Sequence, residues 1–389
     1  SFTPPALFSS SGLVGTPAPG GTLNPSPTVA VDFGSSSSFP VIVNNYLLQG
    51  TIVVPISDYF LRINQGYTAA SHAQEAARLD VLTARAKSAA EGKIAFYTWV
   101  RARGAVVIAL QALADQKVHL TDAQNQFTVG NASRADVLRA ETGVAAAELG
   151  VERAKSLAEL TEKQVRVAMH LTTDEPLVPG ESLEGPIAPV QGNLQGFERE
   201  ALSSRLELRS IEASVEALKQ QSRIARAGYY PQIAGVGNVT YANPNQRRIP
   251  QAQEWFPTWD VSAQLTWSPN DALFAGPSAA EPEARVAQAE AQKRALMDGL
   301  TMEVSQAWQA LRESEVALVT TKRQIASAEE AYRVAHELFN AGRATSTTLT
   351  DAETELTRAR LEALNAAVDA RIARVRMDHA LGRDVPKAR

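Results

Sequence analysis

Residues 339–352, Phe-Asn-Ala-Gly-Arg-Ala-Thr-Ser-Thr-Thr-Leu-Thr-Asp-Ala, read as the turn between two long amphipathic helices, reversed at Gly342. Residues 127–138, Phe-Thr-Val-Gly-Asn-Ala-Ser-Arg-Ala-Asp-Val-Leu, have the same shape around Gly130. The offset between them is 339 − 127 = 212. At that one offset Phe127/Phe339, Gly130/Gly342, Ala140/Ala352, Glu141/Glu353, Thr142/Thr354, Ala147/Ala359, Leu149/Leu361 and Ala154/Ala366 are identical pairs. The chain therefore reads as an internal duplication.

The repeat continues outward from both turns as a heptad pattern. Trp99, Val106, Leu113, Leu120 and Phe127 fall seven apart, as do Met297, Val304, Leu311, Leu318, Ile325, Tyr332 and Phe339. Beyond the turns, Val137, Val144, Val151, Ala158 and Val165 match Leu349, Leu356, Ala363, Ala370 and Met377. A seven-residue apolar repeat keeps one seam against a partner helix and supercoils the pair. Small residues such as Ala102, Ala109, Ala123, Ala307, Ala328 and Ala335 accompany the seam and allow close approach. Helices are expected over residues 67–126, 132–171, 196–228, 278–340 and 346–382. At 1.5 Å per residue, a helix of about 60 residues extends about 90 Å, more than a compact domain needs.

Strand signals lie between the helical segments. In Tyr46–Val54, the residues Tyr46, Leu48, Gly50, Ile52 and Val54 alternate with Leu47, Gln49, Thr51 and Val53. The second repeat alternates more cleanly: Trp259, Val261, Ala263, Leu265 and Trp267 take one side, Asp260, Ser262, Gln264 and Thr266 the other, and Pro269 ends the strand. Ile233 to Tyr241 reads as its partner, with residues 243–250 as a long connecting loop. Aromatic ends, an apolar face and a polar face over roughly 9–11 residues fit a membrane-spanning β-strand. A soluble sandwich strand alternates in the same way. The neighbourhood favours the membrane reading, because two hairpins stand in a chain that is otherwise helical. On this reading Tyr46, Leu48, Ile52, Val54, Trp259, Val261, Leu265 and Trp267 face lipid. Residues 1 to about 40, rich in Pro, Gly and Ser, are either a linker or the turn and first strand of the first hairpin.

Composition narrows the function. With 38 basic against 42 acidic residues and a net charge of −4, a nucleic-acid partner has no electrostatic support. There is no cysteine, hence no disulfide and no thiolate metal site. No run of about 18 apolar residues occurs, and Ser1-Phe-Thr-Pro-Pro has neither a charged n-region nor an apolar h-region. Five widely spaced histidines (His72, His119, His170, His336, His379), no His-Glu-x-x-His and no phosphate loop leave no enzyme inventory. The histidines read as solvated helix residues and the helical carboxylates as exposed partners of Lys and Arg. No cofactor and no metal is expected.

These features together resemble the TolC family of bacterial outer-membrane efflux proteins, the exit ducts of tripartite efflux and type I secretion systems. The likeness rests on Ala225-Arg-Ala-Gly-Tyr-Tyr-Pro231 entering a strand, Trp259 to Pro269 leading to a Leu273-Phe274-Ala-Gly276 turn, Ala307-Trp308 in the long helix, and the two Phe-x-x-Gly turns. It implies a mostly α chain with a membrane β-barrel: a homotrimer whose protomers each give four strands to a twelve-stranded barrel and their helices to a periplasmic tunnel. Four strands cannot close alone, and lipid does not tolerate open sheet edges. The implied domains are a first barrel hairpin (1–66), a first helical hairpin (67–171), a linker (172–195), a helix (196–230), a second barrel hairpin (231–277), a second helical hairpin (278–382) and a tail (383–389). The family has a helix before each hairpin, so a counterpart of 196–228 is expected upstream of Ser1.

By the same resemblance the turns close the periplasmic mouth and receive a periplasmic adaptor protein, itself joined to an inner-membrane pump. Gly130, Asn131, Gly342 and Arg343 would form the tip turns and adaptor contact, and Phe127, Asp136, Phe339 and Asp351 the pore constriction. The glycines serve equally as helix caps, and Asp136 and Asp351 equally as favourable charges in a first helical turn. Thr348 and Ala344 stand where relatives carry a second entrance acid and a basic gating partner; Arg343 or Arg134 could substitute. The expected function is an outer-membrane channel-tunnel that passively exports small molecules or proteins. The alternative is the periplasmic adaptor, which would show one helical hairpin instead of two at a fixed offset. A soluble coiled-coil scaffold would leave the alternation from Trp259 to Trp267 without purpose.

Overall fold

A computed structural model describes residues 44–172, 175–181, 183, 185, 187, 189–249 and 252–384. The chain divides into two units, Ser1–Ser57 with Gln232–Thr266, and Asp58–Pro231 with Trp267–Arg389.

The first unit contains a three-stranded antiparallel sheet in the order β1 (Tyr46–Val54), β2 (Gln232–Asn243), β3 (Phe256–Thr266). Pairing runs from Tyr46 opposite Asn243 to Val54 opposite Gly235, and from Gln232 opposite Thr266 to Ala242 opposite Phe256. Because side chains alternate and paired residues share a side, the register decides the composition of each face. One face gathers Leu48, Ile52, Val239, Trp259, Val261 and Leu265; the other gathers Gln49, Thr51, Asn238, Thr240, Asp260, Ser262 and Gln264, together with Leu47, Val53 and Val236. Every residue of β1 is exposed. Among the described residues neither β1 nor β3 has a strand on its outer side. The partner strand expected before Tyr46 falls on residues outside the described ones.

The second unit is helical: α1 (Asn64–Thr128), α2 (Arg134–Ala168), α3 (Leu194–Ser204), α4 (Leu206–Arg226), α5 (Pro269–Asn340) and α6 (Ser346–Ala380). A π-helical turn, Tyr59–Ile63, leads into α1. The two long helices have 65 and 72 residues. α1 and α2 form one antiparallel hairpin, α5 and α6 another, and α1 also packs on α6 and α4. Their cores are heptad seams. Along α6, Leu349, Leu356, Ala370 and Met377 are buried at multiples of seven, with Ala359, Ala366, Ala373 and Ala380 in a second buried row. On α5 the facing row is Ala307, Ser314, Thr321, Ala328 and Ala335. The two hydroxyls in that row donate to backbone carbonyls of their own helix, Ser314 to Leu311 O at 2.7 Å and Thr321 to Ala317 O at 2.8 Å, so burial leaves no unpaired donor. At the other end of the seam, Phe197 and Ala201 of α3 close over Val304, Leu311 and Met377.

Three departures from the sequence expectation have physical causes. The single helix expected over 196–228 is broken at Arg205, which is extended (φ −65°, ψ 126°). Its buried guanidinium donates to Glu207 at 2.9 Å, Glu303 at 3.0 Å and the His379 carbonyl at 2.8 Å. Satisfying one buried cation from three directions outweighs one helical residue. Second, residues 273–276 are helical instead of forming a turn, because α5 starts at Pro269 and runs through Pro277 and Pro282. Proline suits the first helical position, and each later proline removes one backbone hydrogen bond from a 72-residue helix. Third, described residues between α2 and α3 are held to the helices: Arg103 donates to Leu177 O, Arg371 to Gly185 O, and Tyr97 to Glu181 at 2.8 Å. Burial and that carboxylate push the Tyr97 hydroxyl up to about 12.

Candidate functional site: the paired turns

Both helical hairpins reverse by the same bonds. At the first, Gly130 N donates to Phe127 O at 3.0 Å and Asn131 N to Gln126 O at 2.8 Å. At the second, Gly342 N donates to Phe339 O at 2.9 Å and Arg343 N to Leu338 O at 2.8 Å. This pair of bonds is the Schellman termination, which needs a left-handed residue. Gly130 and Gly342 supply it, with φ of 83° and 66°.

The next helices start on side-chain caps. Ser133 Oγ accepts from Asp136 N at 3.2 Å, while Asp136 Oδ2 accepts from Ser133 N at 2.9 Å and from Ser133 Oγ at 2.6 Å, a complete capping box. Those bonds, with Arg139 at 3.3 Å, hold the Asp136 carboxyl below its usual range. Thr345 caps α6 by accepting from Thr348 N at 3.2 Å. Since 348 − 136 = 212, Thr348 is the counterpart of Asp136, and the second start lacks a carboxylate. The Asp351 side chain is exposed and has no hydrogen-bond or ion-pair partner among the described residues, as is true of the side chains of Arg343 and Arg134.

The turns lie side by side within one chain. Gln126 donates to the Asn340 carbonyl at 2.8 Å and Arg139 to Thr347 Oγ1 at 3.1 Å, while within the first turn Asn131 Nδ2 donates to Gln126 Oε1 at 3.1 Å. Beneath them, Phe339 is buried with Ala123, Val137, Ala140, Ala335 and Leu349. Phe339, expected at the constriction, is thus a core side chain, because it closes the apolar seam where four helix ends meet. Its counterpart Phe127 is 43% exposed. The structure brings Gly130, Asn131, Gly342 and Phe339 together and leaves Phe127, Asp351 and Arg343 on the surface.

Sequence reasoning missed a buried polar cluster one turn deeper. His119, expected to be solvated, is 1% exposed. Its Nδ1 lies 3.1 Å from Glu353 Oε2 and its Nε2 lies 3.1 Å from Ser346 Oγ, while Gln116 donates to the same Glu353 oxygen at 2.8 Å. With the carboxylate ionised, Nδ1–H is the donor. Glu353 Oε1 is buried with no hydrogen-bond partner. The cluster stitches α1 to α6. At the 212 offset, Gln116, His119 and Ser346 correspond to Ala328, Ala331 and Arg134, so the other repeat cannot build it. The available signal was spacing: His119 stands four residues before the buried Ala123, on the apolar face.

The other expected site, the apolar strand face, is solvent-open in the single chain. Tyr46, Leu48, Ile52, Val54, Trp259, Val261, Leu265 and Trp267 are all at least 55% exposed. Tyr241 stacks on Trp255 at 4.9 Å, with Tyr46 at 6.1 Å, at the end of the sheet where β2 passes into β3. Among the described residues no cluster of three or more His, Asp or Glu could hold a metal, and no helix is long and apolar enough to cross a membrane.

No curated protein sequence matches the chain. In solved structures, the outer-membrane channel OprN matches with a TM-score of 0.73 at 20% identity, over 87% of this chain and 81% of that one. CusC, from a study of folding and transmembrane channel formation, matches with 0.73 at 14% identity, over 87% and 83%. The outer membrane protein VceC of Vibrio cholerae matches with 0.71 at 16% identity, over 87% and 86%. At these identities the likeness is one of fold. Residues 199–383 match the family model for outer membrane efflux proteins, covering the second repeat. Residues 199–383 thus resemble the outer membrane efflux proteins, and the chain shares the fold of the outer-membrane channels it is similar to.

Proposed function

We propose that three copies of this chain form one passive efflux duct, with the sheet as part of a closed barrel in the outer membrane and the helical hairpins enclosing a periplasmic passage. The observation that carries this is the sheet: an apolar face with Trp259 75% and Val261 76% exposed, backed by a polar face, in a sheet whose described edges are open. In water such a surface is unstable. In lipid the apolar face is satisfied, and closing the barrel with neighbouring copies satisfies the edges. On this reading the chain supplies a route and an inner-membrane pump supplies the energy.

The paired turns are the mouth of the duct and, with Gly130, Asn131, Gly342 and Arg343 at the surface, the face offered to a periplasmic adaptor. Asp351, without a partner among the described residues, is better placed than Asp136 to contribute a carboxylate to an entrance ring; Asp136 is committed to its cap. Because the His119–Glu353 cluster fastens α1 to α6 in one chain, opening separates neighbouring copies, with α1 and α6 moving together.

A nitroxide scan along β3 in liposomes tests the barrel. Single cysteines at 258–265 should alternate with a period of two: odd positions accessible to oxygen dissolved in lipid, even positions to a water-soluble nickel complex. A scan without alternation would refute it.

A further inference from the structure

The register aligns Thr51, Asn238 and Asp260 in one row across the polar face. Their side chains are bonded in series: Thr51 Oγ1 donates to Asn238 Oδ1 at 2.9 Å, and Asn238 Nδ2 donates to Asp260 Oδ2 at 2.9 Å. The other carboxylate oxygen accepts from Arg247, which comes from the loop after β2. That loop is folded back onto the polar face by Asn245, a 3% exposed side chain that donates to Phe256 O at 2.8 Å and Thr258 Oγ1 at 3.1 Å and accepts from Arg247 N at 2.9 Å. The guanidinium is therefore positioned over Asp260 by its own turn. Asp260 is the sole charged residue that the described strands place on the polar face. The loop leaves the end of the sheet opposite to the one where β1 and β3 continue into helices.

We infer that Arg247 and Asp260 together set the charge selectivity of the outer end of the duct. The inference rests on the barrel reading above, which makes the polar face the wall of the lumen. As a pair they leave that wall neutral, so solutes of either sign pass. Without Arg247, three copies would present a ring of bare carboxylates, the arrangement that favours cations; without Asp260, a ring of guanidinium groups would favour anions. Asn238 and Thr51 are positioning residues, since they fix the carboxylate through a directed chain of hydrogen bonds.

The chain has no cysteine, so Ser262→Cys gives a unique thiol on the same face, two residues and about 7 Å along the strand from Asp260. Intact cells would be exposed to an anionic and a cationic methanethiosulfonate reagent and the two reaction rates compared. A unit charge at that distance in water alters each rate about threefold, and so their ratio about tenfold. Arg247→Gln should lower the anionic-to-cationic ratio about tenfold, Asp260→Asn should raise it by a similar factor, and the double variant should restore it. Arg247→Lys, which keeps the charge, should hold the ratio within about twofold. If the Ser262→Cys thiol reacts much faster than a Val261→Cys thiol yet its ratio is the same in every background, the pair does not set selectivity. If the Val261→Cys thiol reacts as fast as the Ser262→Cys thiol, the barrel reading fails, and this assignment with it.

Discussion

At the level of single residues, the paired turns rest on two backbone positions and one buried carboxylate. Gly342 at φ 66° is replaceable only at the cost of placing a Cβ in the left-handed region, about 1–2 kcal/mol. Gly342→Ala should therefore lower the thermal midpoint of the helical signal, and Gly130→Ala should do the same. His119→Ala removes one of the two side chains bonded to the buried Glu353 oxygen and also leaves a cavity, costing about 1–3 kcal/mol for the lost hydrogen bond alone, and so should act more strongly than either glycine change. Equal effects would mean that the cluster is not the fastening it is taken to be. Asp136 makes a pH prediction. Its folded-state carboxyl ionises below the ordinary value of 3.8, so the stability it contributes is present above that value and is lost as pH falls through the lower, folded one. Asp136→Asn should flatten the acid limb of the stability profile and leave its shape at neutral pH unchanged; an unaltered acid limb would contradict the assignment. Gly130 and Gly342 were readable because a left-handed helix end is a local event. His119 was not, because its partner Glu353 is 234 residues away and nothing in the local periodicity distinguishes a satisfied buried histidine from a solvated one.

The helices show which parts of an element are local and which are imposed. The seven-residue spacing of Leu349, Leu356, Ala370 and Met377 marks a seam in the sequence, and these are among the most buried side chains of α6. Truncating Leu356, 2% exposed, to alanine should cost about 2–5 kcal/mol by chemical unfolding, whereas Leu160→Ala, at 55% exposure in the single chain, should cost little in a dissociated protomer. A large effect at Leu160 there would place a seam where the structure has none. The break at Arg205 was invisible in sequence because it depends on Glu303 and the His379 carbonyl, which arrive from other helices. The helical run through Pro277 and Pro282 was hidden for the opposite reason: local breaker signals are real, and a long helix absorbs them. Strands were more legible. β3 runs from Phe256 to Thr266 on the alternation that Trp259, Val261 and Leu265 display, but the loop carrying Arg247 back over Asp260 has no periodic signature.

In the whole molecule, the proposal turns on the exposed apolar face and the open described edges of the sheet. The 212-residue offset made two helical hairpins expected, and the alternation at 46–54 and 259–267 made the sheet expected. The proposed duct requires that copies combine. Planar-bilayer recording of the detergent-purified oligomer, for the wild type and for a variant loosened at the turns by Gln126→Ala with Arg139→Ala, addresses that step. Stable unitary conductance should appear, larger or more frequent in the loosened variant, and Asp351→Ala should reduce its preference for cations if that carboxylate lines the mouth. An inserted trimer that passes no current in either the wild type or the loosened variant would contradict the duct.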